Sequence, residues 1–482
     1  MTLSWRKIVG TGAALTVAAT VLVQIQLSSP AAAATVCNKF CDVRDPALSP
    51  VDRLSATVTV AGRQLALHFD DTDAMVWVTM QTGQPGDTFW LDRSFDGGRT
   101  SSDSRLGTGA IPAGVTGWRG AMYNVDNWAA RGVGAVRGCG QPAGSASIAC
   151  TAWARTTWNA ADRLSAATTA LMMTYNNGTG LFNTTGWWNS ANALTALIEN
   201  SRITGLAGYR YAIANTYDKQ VNSFLGQFRN DFIDDTGWWG LAWIAAYDLT
   251  NDVRYLNTAR ADADYMHTFW DTGCGGVFWR TSRTGKTAIA NSLYLQLNSA
   301  LGRRVAGDTT YRARATASWN WWKASGLVNG EGLVNDSVDN TTCRNANTTI
   351  WTYNSGNAVN GFVEYNRLTN DADALASARK VGTAMTTSTR FNSGGVFREQ
   401  CEPGCSGDAN GASFKGAAVR GVMQLNYRTN GAYTTWLQQQ ANSMFSRNRN
   451  RLDQYGFHWA GPLDSSDAAR QHSALDLLNA AA

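Results

Sequence analysis

Asp234 and Asp235 stand side by side in Asp231-Phe-Ile-Asp-Asp-Thr-Gly-Trp-Trp239. Adjacent like charges repel, and Ile233, Trp238 and Trp239 would strip water from them. One carboxyl of such a pair should therefore stay protonated near neutral pH while the other ionises. Hydrolysis of a glycoside needs that division. A carboxylate serves as nucleophile or base, and a carboxylic acid protonates the leaving oxygen. Neighbouring Cα atoms lie about 3.8 Å apart. Diverging side chains reach the roughly 5–5.5 Å separation of retaining enzymes more readily than the about 6.5–9.5 Å of inverting ones. The alternative is helix capping, since acids favour the positive end of a helix.

Other polar and aromatic residues could complete a sugar site. Trp187, Trp188, Trp238, Trp239 and Tyr353 can stack on sugar faces or fill a core. Asn354 and Lys415 can donate to hydroxyls, and Lys415 could equally neutralise buried carboxylates. Asp336 and Asp339 are further acids in a long loop. The composition agrees: 20 Trp, 15 Tyr and 47 Gly against 4 His suit flat, neutral, hydroxylated ligands.

The elements that must position these residues repeat. Thr185-Gly-Trp-Trp188 recurs as Thr236-Gly-Trp-Trp239, and Gly275-Gly-Val-Phe278 as Gly394-Gly-Val-Phe397. Six helices rich in small residues are expected at 187–199, 238–249, 287–301, 353–366, 414–427 and 467–480. Each follows a longer amphipathic helix, at 156–175, 209–229, 252–270, 311–324, 371–389 and 432–449. No hairpin of this kind buries its own apolar face, so neighbours must stack. Six hairpins close into an all-α (α/α)6 toroid, with an open solenoid as the alternative. The loops entering the inner helices then form one rim, and they carry the Trp, Asn and Asp residues named above.

The block Asp231-Phe-Ile-Asp-Asp-Thr-Gly-Trp-Trp-Gly-Leu-Ala-Trp243, with Trp351-Thr-Tyr-Asn-Ser-Gly356 and Ser413-Phe-Lys-Gly416, resembles glycoside hydrolase family 76, the endo-α-1,6-mannanases. The resemblance covers about residues 155–480. It implies an (α/α)6 fold, a retaining mechanism and α-1,6-linked mannan as substrate. It also implies Asp234 as nucleophile and Asp235 as general acid/base. A mannan transglycosylase using the same acids, or a non-catalytic glycan-binding protein, are the alternatives; the intact acid pair argues against the latter.

The rest of the chain sets the context. Residues 1–34 read as a cleavable export signal, with Arg6 and Lys7 before an apolar stretch and a small-residue site near Ala34. Removing it leaves 39 basic residues (41 less Arg6 and Lys7) against 36 acidic, a net +3 with no basic run. That excludes nucleic acid as a partner. After cleavage no membrane association is expected, and the product should be a secreted monomer without cofactor or metal.

Eight cysteines in an exported chain favour disulfides. The pairs expected are Cys139–Cys150, Cys274–Cys343 and Cys401–Cys405. Residues 35–150 read as a small all-β, sandwich-like accessory domain, with strands at 54–60, 65–69, 74–80 and 88–91. Ser94-Phe-Asp-Gly-Gly-Arg-Thr100 resembles a propeller-type Asp-box turn lacking its aromatic. Asp70, Asp71 and Asp73 read as a solvated turn rather than a calcium loop. Trp77, Trp90, Trp118 and Trp128 could form a glycan-binding face or a core. Residues 151–482 form the helical domain.

Overall fold

The computed structural model describes residues 42–94, 98, 100–126, 134–157, 163–205, 209–405, 408–450 and 453–482. The expected export signal, Cys37, Cys41, Trp128 and the middle of the Asp-box segment lie outside these residues.

Among the described residues twelve helices follow one another as six pairs. The outer members are α1 (Arg163–Met172), α3 (Tyr211–Gln220), α5 (Val253–His267), α7 (Thr310–Ser325), α9 (Ala372–Thr387) and α11 (Thr434–Arg447). The inner members are α2 (Trp187–Thr204), α4 (Ile233–Thr250), α6 (Ala288–Arg304), α8 (Thr352–Thr369), α10 (Ala409–Arg428) and α12 (Ala468–Ala480). Each inner helix packs on the next, and α12 packs back on α2, so the ring closes. The expected toroid is therefore present, and the open solenoid is not.

The small residues of the inner helices have a steric cause. A Cβ on Gly356 of α8 would lie 2.3 Å from Ala418 Cα of α10. One on Gly421 of α10 would lie 1.9 Å from the carbonyl oxygen of Gly356. These two helices touch backbone to backbone, an approach that only glycine permits.

Several boundaries differ from the periodicity, two of them beside the acid pair. Helix α3 ends at Gln220, ahead of a run of turns in which Phe224, Gln227 and Phe228 all take positive φ. Helix α4 begins at Ile233, five residues before the expected start, which puts Asp234 and Asp235 in its first turn, where acids favour the positive helix end.

The N-terminal region is strand-rich, as expected. Strands β1 (Arg53–Val60), β2 (Arg63–Asp70) and β3 (Met75–Gln81) form an antiparallel sheet, joined by short β6 (Trp118–Arg119) and β7 (Tyr123–Asn124). Strands β5 (Asp103–Ala110), β4 (Thr88–Ser94), β8 (Ala135–Gln141) and β9 (Ala149–Cys150) form a second, in that order. Leu65, Leu67, Val76 and Val78 of the first sheet share an apolar core with Phe89, Leu91 and Val136 of the second.

Trp77 and Trp90 are buried and belong to the interior, which removes them from any glycan-binding face; Trp118 is 51% exposed. Asp71 pairs with Arg53 and Asp73 with Arg44, so this acidic turn is held by arginines. Arg53 also reaches the carbonyl of Arg155, tying the strands to the segment that enters the helices.

Disulfides join Cys139 to Cys150, Cys274 to Cys343 and Cys401 to Cys405. Among the described residues no helix is long and apolar enough to cross a membrane.

Candidate active site

Helix α4 opens without a capping side chain. Phe232 occupies the N-cap in extended conformation and makes no side-chain cap bond. Asp234 and Asp235 are thus the second and third helical residues, inside the first turn rather than in the loop before it. Ile233 N–H donates to the Trp279 carbonyl (2.8 Å), and Thr281 N–H to the Asp231 carbonyl (3.0 Å). This short ladder brings the 279–281 loop against the helix start. Trp279 Nε1 then donates to Asp234 Oδ2 at 3.1 Å.

Asp235 is held from the other side. Asn230 Nδ2 donates to Asp235 Oδ2 at 2.5 Å. Asn230 is itself fixed, accepting from Phe232 N–H through Oδ1 (2.8 Å) and from the Tyr265 hydroxyl through its carbonyl (3.1 Å). Among the described residues Asp234 Oδ1 is buried and finds no hydrogen-bond partner.

Both acids retain some accessible area yet are surrounded by protein. Burial raises the pKa of Asp234 well above its ordinary value, and repulsion from Asp235 adds to this. Trp279 and the backbone N–H groups of the helix start oppose the rise. Burial also raises Asp235, to about 7, against the Asn230 hydrogen bond. Repulsion between the acids means that the pair holds one proton across a range near neutrality.

The aromatic residues divide into two layers. Trp187 packs on Phe224 (4.7 Å between ring centroids) and Trp239 (5.4 Å), and its indole donates to Gln220. Trp239 is fully buried among Phe228 and Trp243. Trp243 in turn meets Tyr217 of the outer helix α3, so Trp239 lies between inner and outer helices and has no surface for a sugar. Trp188 stacks on Trp238 at 5.7 Å and approaches Phe414. Phe414 stacks on Tyr353 at 4.0 Å with rings 6° from parallel, and Trp351 leans on it at 5.7 Å. Burial and the charges of Asp336, Asp234 and Glu399 raise the Tyr353 phenol well above its usual range, so it stays protonated.

Three candidates take supporting places. Asn354 is fully buried, and its Nδ2 donates to Asp336 Oδ1 at 2.8 Å. It orients Asp336, whose pKa burial raises. Lys415 is fully buried, with Nζ on Glu402 Oε1 and the Phe457 carbonyl, each at 2.5 Å. It neutralises a carboxylate and cannot also reach a sugar hydroxyl, which corrects the binding role. Asp339 is exposed and caps its own turn through Thr341 and Thr342. Sequence reasoning missed Trp279, Asn230 and Phe414. Trp279 directly follows the repeated Gly-Gly-Val-Phe, and Phe414 lies inside the Ser413–Gly416 block.

Among the described residues, one group of three metal-ligating types occurs, Asp92 with Cys139 and Cys150. Its two cysteines are joined as a disulfide, which leaves no thiolate for an ion.

The model of glycosyl hydrolase family 76 matches residues 157–482. The chain belongs to glycosyl hydrolase family 76.

Solved structures show the same fold for this family 76 chain. The GH76A α-1,6-mannanase of Salegentibacter sp. HEL1_6 is 24% identical, with a TM-score of 0.59 over 66% of this chain and 98% of that one. An inactive variant of that enzyme, with two consecutive aspartates changed to alanine, is in complex with α-1,6-mannotetrose; it is 22% identical over the same shares, with TM-score 0.59. Dfg5 from Chaetomium thermophilum, in complex with glucosamine, is 20% identical with TM-score 0.58, over 66% of this chain and 90% of that one. No curated protein matches the sequence.

Proposed function

We propose that this family 76 hydrolase is a secreted, retaining endo-α-1,6-mannosidase that cleaves the α-1,6-linked backbone of cell-wall mannan or related mannose polymers. The observation that carries this reading is the acid pair on the first turn of α4. Asp234 keeps one oxygen free of hydrogen bonds, as a nucleophile requires. Burial raises both carboxyls and the pair shares one proton near neutrality, which leaves one carboxylate and one carboxylic acid for the two roles.

In the first step Asp234 attacks the anomeric carbon while Asp235 gives its proton to the leaving oxygen. In the second Asp235 takes a proton from water, which releases the sugar from Asp234. Trp188, Trp238, Tyr353 and Phe414 supply flat aromatic surface beside the pair. The α-1,6-mannanase of Salegentibacter, inactive once two consecutive aspartates are replaced, supports the substrate and the role of adjacent acids. Residues 35–150 are read as a sandwich-like accessory domain, and the three disulfides fit export.

The test is product analysis on α-1,6-mannotetraose. Shorter α-1,6-mannooligosaccharides should appear, with the α anomer first by proton NMR. Longer products at high substrate would favour the transglycosylase, and first appearance of the β anomer would exclude the retaining mechanism.

Trp279 gives a second expectation. Its indole favours ionised Asp234, so Trp279→Phe should raise that pKa further. The acidic limb of the kcat/KM profile, where Asp234 must be ionised, then moves to higher pH. The rate at neutral pH should fall by about 10- to 100-fold, the range for one lost charge-directed donor. An unmoved limb would remove Trp279 from the machinery.

A further inference from the structure

The acids sit where the inner helices begin. Where those helices end, at the opposite rim, a cavity of about 560 Å³ opens on the axis of the ring. Its wall draws on α2, α4, α6, α8 and α10, and Trp238 is part of its lining.

Five arginines line it: Arg202, Arg303, Arg304, Arg367 and Arg420. Three carboxylates face them: Glu199, Asp248 and Glu364. Glu364 is shared among three guanidiniums, Arg303 at 2.5 Å, Arg367 at 3.1 Å and Arg304 at 3.6 Å. Arg304 forks onto Asp248 and Arg202 onto Glu199, so the N–H groups left over are those of Arg303 and Arg367, which one carboxylate cannot use in full.

Four of the arginines stand in or beside the last turns of their helices, where cations offset the negative helix end. Arg420 does not. It lies in the middle of α10, its side chain only 10% exposed, with its guanidinium 5.7 Å from the Trp238 ring. One of its nitrogens donates to Asn192, and its nearest carboxylate, Asp476, stays 3.7 Å away and also faces His472. A cation desolvated in this way is costly unless something negative completes it.

The geometry points to a second binding site, at the far mouth of the ring, for a monosaccharide carrying an oxyanion such as phosphate or carboxylate. The surplus guanidinium forks match such a group. Leu241, Ile244 and Trp238 offer an apolar wall, while Asn360 and Gln424 offer amides for hydroxyls. A cavity lined by excess positive charge concentrates anions, and its volume suits a hexose better than a bare ion. The arginines and carboxylates of this site play no part in the mannan reading, which concerns neutral sugars at the other rim; Trp238 is the one residue the two share.

Calorimetric titration of the full chain with mannose 6-phosphate at low salt tests it. Saturable 1:1 binding is expected, with glucuronate competing and unphosphorylated mannose inert. The double variant Arg303→Gln, Arg367→Gln should bind at least about tenfold more weakly. Glu364→Gln, which removes the competing carboxylate, should bind more tightly. Both variants should keep the parental circular dichroism spectrum and a cooperative unfolding transition, which shows that they fold. No saturable binding, equal binding by neutral mannose, or unchanged affinity in the double variant would each overturn the site.

Discussion

Asp234→Asn is expected to abolish turnover of every α-mannoside, because no glycosyl-enzyme can form without a carboxylate at that position. Asp235→Asn is expected to fail differently. On natural mannan, where the leaving oxygen needs a proton, activity should fall by roughly 10²–10⁴-fold. On a substrate with an acidic phenol as leaving group, the first step needs little help and should be partly spared. Azide should then restore release of the sugar, as the α-glycosyl azide.

The pH profile separates the roles further. Asp235 must be protonated to act as acid, so wild-type activity should decline as pH rises past neutrality and the pair loses its shared proton. In Asp235→Asn on the activated substrate that decline should vanish. Both variants should fold, since neither aspartate caps α4. Sparing of Asp234→Asn instead of Asp235→Asn would exchange the two roles. Near-wild-type rates in both would leave the acids as helix-start charges only.

The acid pair was legible because repulsion, burial and adjacency all act on neighbours in the chain. The ring was legible because the hairpin period repeats and the small-residue helices have no polar face to expose. The start of α4 was not. The repeat Thr-Gly-Trp-Trp suggests that both copies enter their helices at the same place. Gly186 is indeed the N-cap of α2, but Gly237 lies inside α4, where a Cβ would come within 2.9 Å of Leu293 Cβ. One glycine serves a turn and the other a close helix contact, and no local pattern distinguishes them.

Asn230 and Trp279 were hidden for another reason. Trp279 meets Asp234 through a backbone ladder between segments 45 residues or more apart, a pairing that periodicity does not encode. The split of each Trp-Trp pair between two layers has the same origin. Helical neighbours point about 100° apart, and only the assembled ring decides which side is core.

Lys415 shows how far residue type alone can mislead. A lysine in a loop-adjacent block beside aromatic residues suits sugar hydroxyls, and it suits an internal counter-charge equally well. Its Nζ lies 4.5 Å from the Phe457 ring centroid and 4.6 Å from that of Trp459, as well as on Glu402. Glu402 in turn accepts from the N–H of Glu399, whose carboxyl holds Thr352 at the start of α8. Lys415 therefore anchors the turn that sets the first residues of α8, including Tyr353.

Lys415→Met should accordingly lower stability by about 3–5 kcal/mol, because Glu402 is left buried without its cation. Adding Glu402→Gln removes the orphaned charge and should recover a large part of that loss, a coupling that denaturant unfolding of both single variants and the double variant measures. A sugar-contacting lysine predicts the reverse pattern: little change in the unfolding midpoint and a raised KM for mannan. If Lys415→Met unfolds like wild type, the counter-charge role is wrong. If instead the double variant regains stability and cleaves mannan with an unchanged KM, the lysine works only through the position of α8.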